Sequence, residues 1–238
     1  MKNFIDDLIQ DKTARIHFVG IGGTGVSALA DFRLLQGGAV SGSDRSYDQG
    51  VALSQRDHFI SRGAQIFPQD GSGVAGAAAI VASAAVEDDV PDMAAARALG
   101  IPVIRRTQWI AAYTRAYRTI AVTGTAGKST GAAMIFEILR AGGLDPSLIT
   151  GADLRMQLAS DLPGSAYLGT GPLVIEADES DRGIMEYDPK TTVVLNLGRD
   201  HDTPERILEI FRALTDKSEH VVLLDDPGLM PLYAPGRL

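Results

Sequence analysis

A lysine and two hydroxyls stand side by side at Lys128, Ser129 and Thr130, directly after the glycines Gly124 and Gly127. The apolar run Ile120-Ala121-Val122 precedes them, and a helical pattern (Ala132, Ala133, Ile135, Phe136, Ile138, Leu139) follows. Strand, glycine turn, Lys-Ser and helix form the layout of a phosphate-binding loop. Backbone N–H groups and a helix N-terminus face the anion, and the lysine adds a positive charge. The strict pattern G-x-x-x-x-G-K-[ST] is not met, because Val122 stands where the first glycine belongs. The shorter T-G-T-x-G-K-S-T still points to a nucleoside triphosphate.

Two further polar clusters follow apolar runs. Leu173–Ile175 delivers Glu176-Ala-Asp178-Glu179-Ser-Asp181, and Thr192–Leu195 delivers Asn196 and then Gly198-Arg199-Asp200-His201-Asp202. In an open parallel sheet such strand ends share one crevice, where ligands bind. Lys128 would serve the β/γ-phosphates, and Ser129 with Glu176 a magnesium ion. The His201 imidazole would hold a second metal or orient a carboxylate. Magnesium takes few protein ligands beside phosphate oxygens and water, and phosphoryl transfer needs mainly positioning and charge neutralisation. Each cluster also has a plainer reading: Glu176–Asp181 as a solvated strand-end loop, His201 as a structural histidine. His17, His58 and His220 carry no such context, and no role is expected of them.

A second glycine turn lies upstream. Arg15–Val19 reads as a strand, Gly20-Ile-Gly22-Gly23-Thr24-Gly25 as the turn, and a helix runs on through Leu35. Ala39–Ser43 is a short strand ending in Asp44. This spacing meets the dinucleotide-type fingerprint and suits a diphosphate. Asp44 either completes that fingerprint or caps the segment that follows it.

These residues need a scaffold. Helices are expected over 1–14, Val51–Arg62, Pro91–Leu99, Thr107–Arg115 and Ile207–Leu214, and strands over Gln65–Phe67, Ala78–Ser83, Ile101–Ile104 and Val221–Leu224. Ser160–Pro172 should be a surface loop, and the proline-bearing tail after Pro227 forms no further element. The reading is α/β, with a Rossmann-like doubly wound parallel sheet over 1–116 and an incomplete P-loop ATPase-type α/β domain over 117–238. Thr114–Thr119 would be the linker.

Composition agrees. The chain has 238 residues, 45% of them hydrophobic and 22% charged, with a net charge of −8 and no cysteine. The negative charge argues against nucleic-acid or anionic-membrane partners, so a phosphate site must be local. Without cysteine there is no disulfide, thiolate catalysis or cysteine–zinc site. The first residues, MKNFIDDLIQ, lack a signal-peptide core, and no run reaches the ~18 apolar residues of a membrane span. The expected compartment is the cytoplasm.

The sequence resembles the Mur ligases. The resemblance rests on IHFVGIGGTGVSALA (16–30), SGSD (41–44), IPVIRRTQWIA (101–111), IAVTGTAGKST (120–130), EADESD (176–181), the Asn196…Asp200-His201 segment and LDDPGLM (224–230). EADESD favours the alanine-adding branch. The resemblance implies that Gly20, Gly22, Gly23, Thr24, Gly25 and Asp44 hold the diphosphate of UDP-N-acetylmuramate. ATP would lie on Gly124, Thr125, Gly127, Lys128, Ser129, Thr130 and Asn196. Lys128 would contact the γ-phosphate, Ser129 and Glu176 would ligate a first Mg2+, and His201 a second. The muramic carboxylate would attack the γ-phosphate, and the amine of L-alanine the resulting acyl phosphate.

Some positions depart from the family pattern. Ser129 stands where threonine is commoner, Arg199 where an acidic or neutral residue is usual, and Asp202-Thr203 in place of Met-Asp. The family also continues beyond the position of Leu238, with the rest of the ATPase domain and a third domain. The expectation is a chain that binds better than it catalyses, whose sheet edge invites a second copy or a partner chain. The alternatives are a non-catalytic nucleotide or UDP-sugar binding module and, from Gly20–Gly25 and Asp44 alone, a nicotinamide-dependent oxidoreductase. A second phosphate loop is superfluous to hydride transfer.

Overall fold

A computed structural model describes residues 2–155, 164–178, 182–198 and 202–233. The chain divides into two compact units, Met1–Trp109 and Ile110–Leu238.

In the first unit five strands form one parallel sheet: β1 (Ile16–Val19), β2 (Val40–Ser43), β3 (Gln65–Phe67), β4 (Ala79–Ala82) and β5 (Val103–Arg105). Their order is β3-β2-β1-β4-β5, so the winding reverses between β1 and β4. β1 and β4 are buried along their whole length, as strands covered on both faces must be. Val19 and Ile80 pack against Met93 and Ala96 of α5 (Pro91–Leu99). Pro91 starts that helix and Gly100, left-handed at φ 66°, ends it.

The N-terminal helix α1 (Lys2–Gln10) is shorter than expected and buries Ile5, Leu8 and Ile9. Arg33, fully buried on α2 (Thr24–Leu35), fixes its end. The guanidinium donates to the carbonyls of Leu8 (3.0 Å), Ile9 (3.1 Å), Ala14 (3.0 Å) and Asp11. Carbonyls that the last helical turn leaves without partners are thereby satisfied. Two short helices complete this part, α3 (Arg45–Asp48) and α4 (Leu53–Ser61).

Helix α6 (Arg106–Ala116) carries the division between the units. Trp109 is fully buried and meets the Phe18 ring edge-on at 6.3 Å. The linker expected over Thr114–Thr119 is largely ordered structure. Thr114 is buried within α6, and Thr119 already opens the next strand. Thr114, one of the polar residues that suggest a linker, is bonded on both sides: its Oγ1 donates to Ala111 O at 2.7 Å and accepts from Asp188 N, 74 residues away, at 2.9 Å.

The second unit holds a six-stranded sheet of β6 (Thr119–Thr123), β7 (Ser147–Ile149), β8 (Ala166–Tyr167), β9 (Leu173–Glu176), β10 (Thr191–Val194) and β11 (His220–Leu223). The order is β11-β10-β6-β9-β7-β8, parallel except where β8 meets β7. Helix α7 (Lys128–Ala141) packs Ala132 and Phe136 over β6 and β9. Helix α8 (Pro204–Thr215) buries Ile207, Ile210, Phe211 and Leu214, the i, i+3, i+4, i+7 stripe of an amphipathic helix.

Two expectations about elements fail here. Part of the Ser160–Pro172 loop is strand β8, too short for its periodicity to register. The tail after Pro227 is not structureless either, because Pro227–Leu232 is a 3-10 helix. Pro227 sits at its first turn, Asp226 caps it by accepting from Gly228 N at 2.8 Å, and Leu229 and Leu232 join Ile207 and Phe211 in the core.

Candidate functional site

The phosphate-type loop of the second unit leaves β6 at Thr123. Gly124 (φ 138°) and Gly127 (φ 81°) take backbone conformations that L side chains rarely adopt, which tightens the turn onto α7. No side chain caps α7 at Gly127, which leaves the positive end of a 14-residue helix at this loop. Lys128 folds back over the loop: its Nζ donates to Gly124 O at 2.9 Å and lies 3.9 Å from Asp178 Oδ1. Thr130 is exposed on the first turn of α7.

Glu176, the last residue of β9, faces this loop. Its Oε2 accepts from Ser129 Oγ at 3.0 Å, while Oε1 accepts from Gly151 N at 3.0 Å and from Thr150 Oγ1. Ser129 and Glu176 are the pair expected from the strand ends, whereas Thr150 follows the three-residue strand β7 and belongs to no motif. Ser129 and Glu176 offer the hard oxygen donors that a magnesium ion takes beside phosphate oxygens and water. Among the described residues no group of three or more His, Asp or Glu forms a metal cluster. His201, expected as a second metal ligand, lies outside the described residues, as do Glu179–Asp181.

Asn196, just beyond β10, reaches the loop from the other side. Its Oδ1 accepts from Thr125 Oγ1 (2.9 Å) and Ala126 N (3.0 Å), and its Nδ2 donates to Ala126 O (2.9 Å). The side chain therefore holds the loop itself. Deeper in, Thr123 Oγ1 donates to Ala177 O at 2.8 Å, tying the ends of β6 and β9 together.

In the first unit the turn Gly20–Gly25 joins β1 to α2, whose N-terminus also lacks a side-chain cap. Gly23 and Thr24 are exposed there. Asp44 divides its carboxylate: Oδ1 accepts from Ser46 N (2.9 Å) and caps α3, and Oδ2 accepts from Gly22 N (2.8 Å). A Cβ on Gly22 would lie 2.9 Å from Asp44 Oδ2, so glycine is required for that approach. Burial, then the Asp44 and Asp31 carboxylates, push the nearby Tyr47 phenol well up. A cleft of about 420 Å³ opens beside Gly20, between Asp44, Arg45 and Ser46 on one wall and Val86 and Glu87 on the other.

Two histidines without an expected role have partners. His17, fully buried in β1, places Nδ1 3.0 Å from Ser41 Oγ and Nε2 3.4 Å from Asp92 Oδ2. Asp92 also accepts from Ser43 Oγ and, at 2.7 Å, from Gly71 N. Burial alone would raise the Asp92 pKa, but the hydrogen bonds from His17 and Ser43, the His17 charge and the Gly71 N–H together hold it below the ordinary value. His58 pairs with Asp31 at 3.1 Å.

Two glycine turns, each feeding an uncapped helix from a central parallel strand, with a Ser–Glu pair beside the second, give the layout of an α/β protein with two phosphate-type loops. The chain belongs to the Mur ligase family, a family of ATP-dependent ligases. The family model "Mur ligase family, catalytic domain" matches residues 15–118. The UDP-N-acetylmuramate–L-alanine ligase of Frankia casuarinae is 44% identical over 80% of this chain and 38% of its own length. The Frankia alni protein of the same name is 37% identical over 95% of this chain and 40% of its own. The structure of UDP-N-acetylmuramate-alanine ligase from Thermotoga maritima superposes with a TM-score of 0.80 at 27% identity, covering 92% of this chain and 51% of that one. The chain thus spans about 40% of the length of the curated relatives it matches.

Proposed function

We propose that this chain carries the UDP-sugar-binding and part of the ATP-binding machinery of a ligase joining L-alanine to UDP-N-acetylmuramate in peptidoglycan precursor synthesis. What carries the reading is the pairing of Ser129 with Glu176 beside the uncapped start of α7, in a chain 37% identical over 95% of its length to a relative of that name. The glycine turn Gly20–Gly25 and the cleft beside it would take the UDP-sugar, and the Gly124–Ser129 loop the triphosphate. These are ligands of the cytoplasm.

The loop N–H groups and Lys128 would gather the negative charge of the phosphates. Lys128 would exchange the Gly124 carbonyl and Asp178 for the γ-phosphate. Ser129 and Glu176 would hold Mg2+, which when bound neutralises charge on the transferring phosphoryl group. Asn196 would keep the loop in its binding shape. The substrate carboxylate would displace ADP from the γ-phosphorus, giving an acyl phosphate. The amine of L-alanine would then displace phosphate from the acyl carbon, forming the amide.

A second reading is a nucleotide and UDP-sugar binding module that acts with a partner, favoured by the exposed apolar side chains at the β11 edge. The partner, or a second copy, would add to the sheet at β11, where Val222 and Leu224 are about half exposed.

Calorimetry with UDP-N-acetylmuramate and with Mg-ATP, followed by an ADP-release assay with L-alanine, tests both. Binding of the two ligands with turnover supports the ligase. Binding without turnover supports the module, and NADH binding in their place overturns both.

A further inference from the structure

Glu176 has two carboxylate oxygens, and only one of them faces Ser129. The other, Oε1, is held by Gly151 N at 3.0 Å and by the Thr150 hydroxyl. Thr150 is 2% exposed, and its Oγ1 already accepts from Ala152 N at 3.3 Å, which leaves its proton for Glu176. Both donors come from the end of β7, whose register on β9 (Leu148 opposite Val174, Ile149 opposite Ile175) brings Thr150 alongside Glu176. Two donors on one oxygen lock the carboxylate plane and reserve that oxygen, so Glu176 presents a single oxygen toward Ser129.

This bears on which cation the site prefers. Mg2+ demands near-octahedral geometry and takes carboxylates through one oxygen. Ca2+ accepts six to eight oxygens at longer distance and readily takes a carboxylate through both. Supporting hydrogen bonds to a ligand carboxylate tune such sites strongly. We propose that Thr150 is a positioning residue that makes Glu176 a one-oxygen ligand and thereby sets the preference of the nucleotide site for Mg2+ over Ca2+. The proposal rests on the triphosphate reading of the Gly124–Ser129 loop. Thr150 itself is not assigned a bond to the metal.

The test uses the whole chain and measures ATP affinity by calorimetry with Mg2+, with Ca2+ and with EDTA, for wild type, Thr150→Val and Thr150→Ser. Valine keeps the shape and removes the donor, whereas serine keeps the donor. Affinity for ATP with Mg2+ should fall roughly 10-fold in Thr150→Val, in line with losses of supporting partners at metal sites. Affinity with Ca2+ should fall less or rise, and affinity in EDTA should not change. Thr150→Ser should retain the wild-type ratio. If Thr150→Val loses affinity equally in all three conditions, or keeps the wild-type Mg2+ to Ca2+ ratio, the positioning role is overturned while the triphosphate reading stands. Wild-type ATP binding that is indifferent to metal overturns the metal reading of the site and this inference with it.

Discussion

Asn196 and Ala126 lie 70 residues apart in sequence and exchange two hydrogen bonds, Oδ1 accepting from Ala126 N at 3.0 Å and Nδ2 donating to Ala126 O at 2.9 Å. A side-chain amide thus pairs with the N–H and C=O of a single residue much as a neighbouring strand would, and the loop is shaped before any ligand arrives. Removing the amide leaves a peptide that must reorder on binding. Asn196→Ala should weaken ATP binding by roughly tenfold, the scale of one to two net hydrogen bonds. Asn196→Asp should weaken it further, because it loses the donor and adds a negative charge near the phosphates. Calorimetry alongside thermal melts separates this from unfolding.

Lys128 is poised rather than idle, resting on Gly124 O and near Asp178. Lys128→Ala should reduce affinity for Mg-ATP by about tenfold to a hundredfold, the range for hydrogen bonds to charged groups. UDP-N-acetylmuramate affinity should be unchanged, since that site is assigned to the other unit. A mutant that binds Mg-ATP normally removes Lys128 from the phosphate role.

Asp92 should make the first unit sensitive to acid. Its pKa in the folded chain lies below the ordinary 3.8, so the stability it contributes is complete above that value and is lost as pH falls through the folded pKa. The urea midpoint should therefore drop as the pH is taken below about 4. Asp92→Asn should be less stable at neutral pH and should show a smaller drop in that window. Equal acid sensitivity in the two proteins would assign the effect to other carboxylates.

Leu229 tests whether the 3-10 helix near the C-terminus belongs to the second core. It is 1% exposed and clusters with Val194, Ile207 and Phe211. Leu229→Ala should cost about 2–5 kcal/mol, as buried leucines do. A change within ±0.5 kcal/mol in chemical denaturation would make this segment an appendage.

The residues that the sequence made legible were those whose chemistry is local. The glycine turns follow apolar strands within a few positions, so Gly20–Gly25 and Gly124–Ser129 announced both strand and helix. The argument that parallel strands end on one side brings Ser129 and Glu176 together, and β6 and β9 are parallel neighbours in the sheet. Thr150 was invisible because its partner is 26 residues away and β7 is only three residues long. His17 failed to signal for a similar reason: its partners Ser41 and Asp92 arrive through β2 and α5. The proline-bearing tail reads as structureless because Pro227 and Pro231 look like breakers, whereas Pro227 sits in the first turn of a short 3-10 helix, where proline is accepted, and Pro231 lies inside it.

The meeting of Ser129 with Glu176 depends on counting. Val122 stands opposite Glu176 on one side of β6 and opposite Val193 on the other. A slip of β9 by a single residue would carry Glu176 about 3.3 Å along the sheet and turn its side chain to the opposite face. The buried side chains that fix this register, Val174 and Ile175 among them, act as a ruler for the site. Core substitutions there should register as altered metal affinity before the chain unfolds.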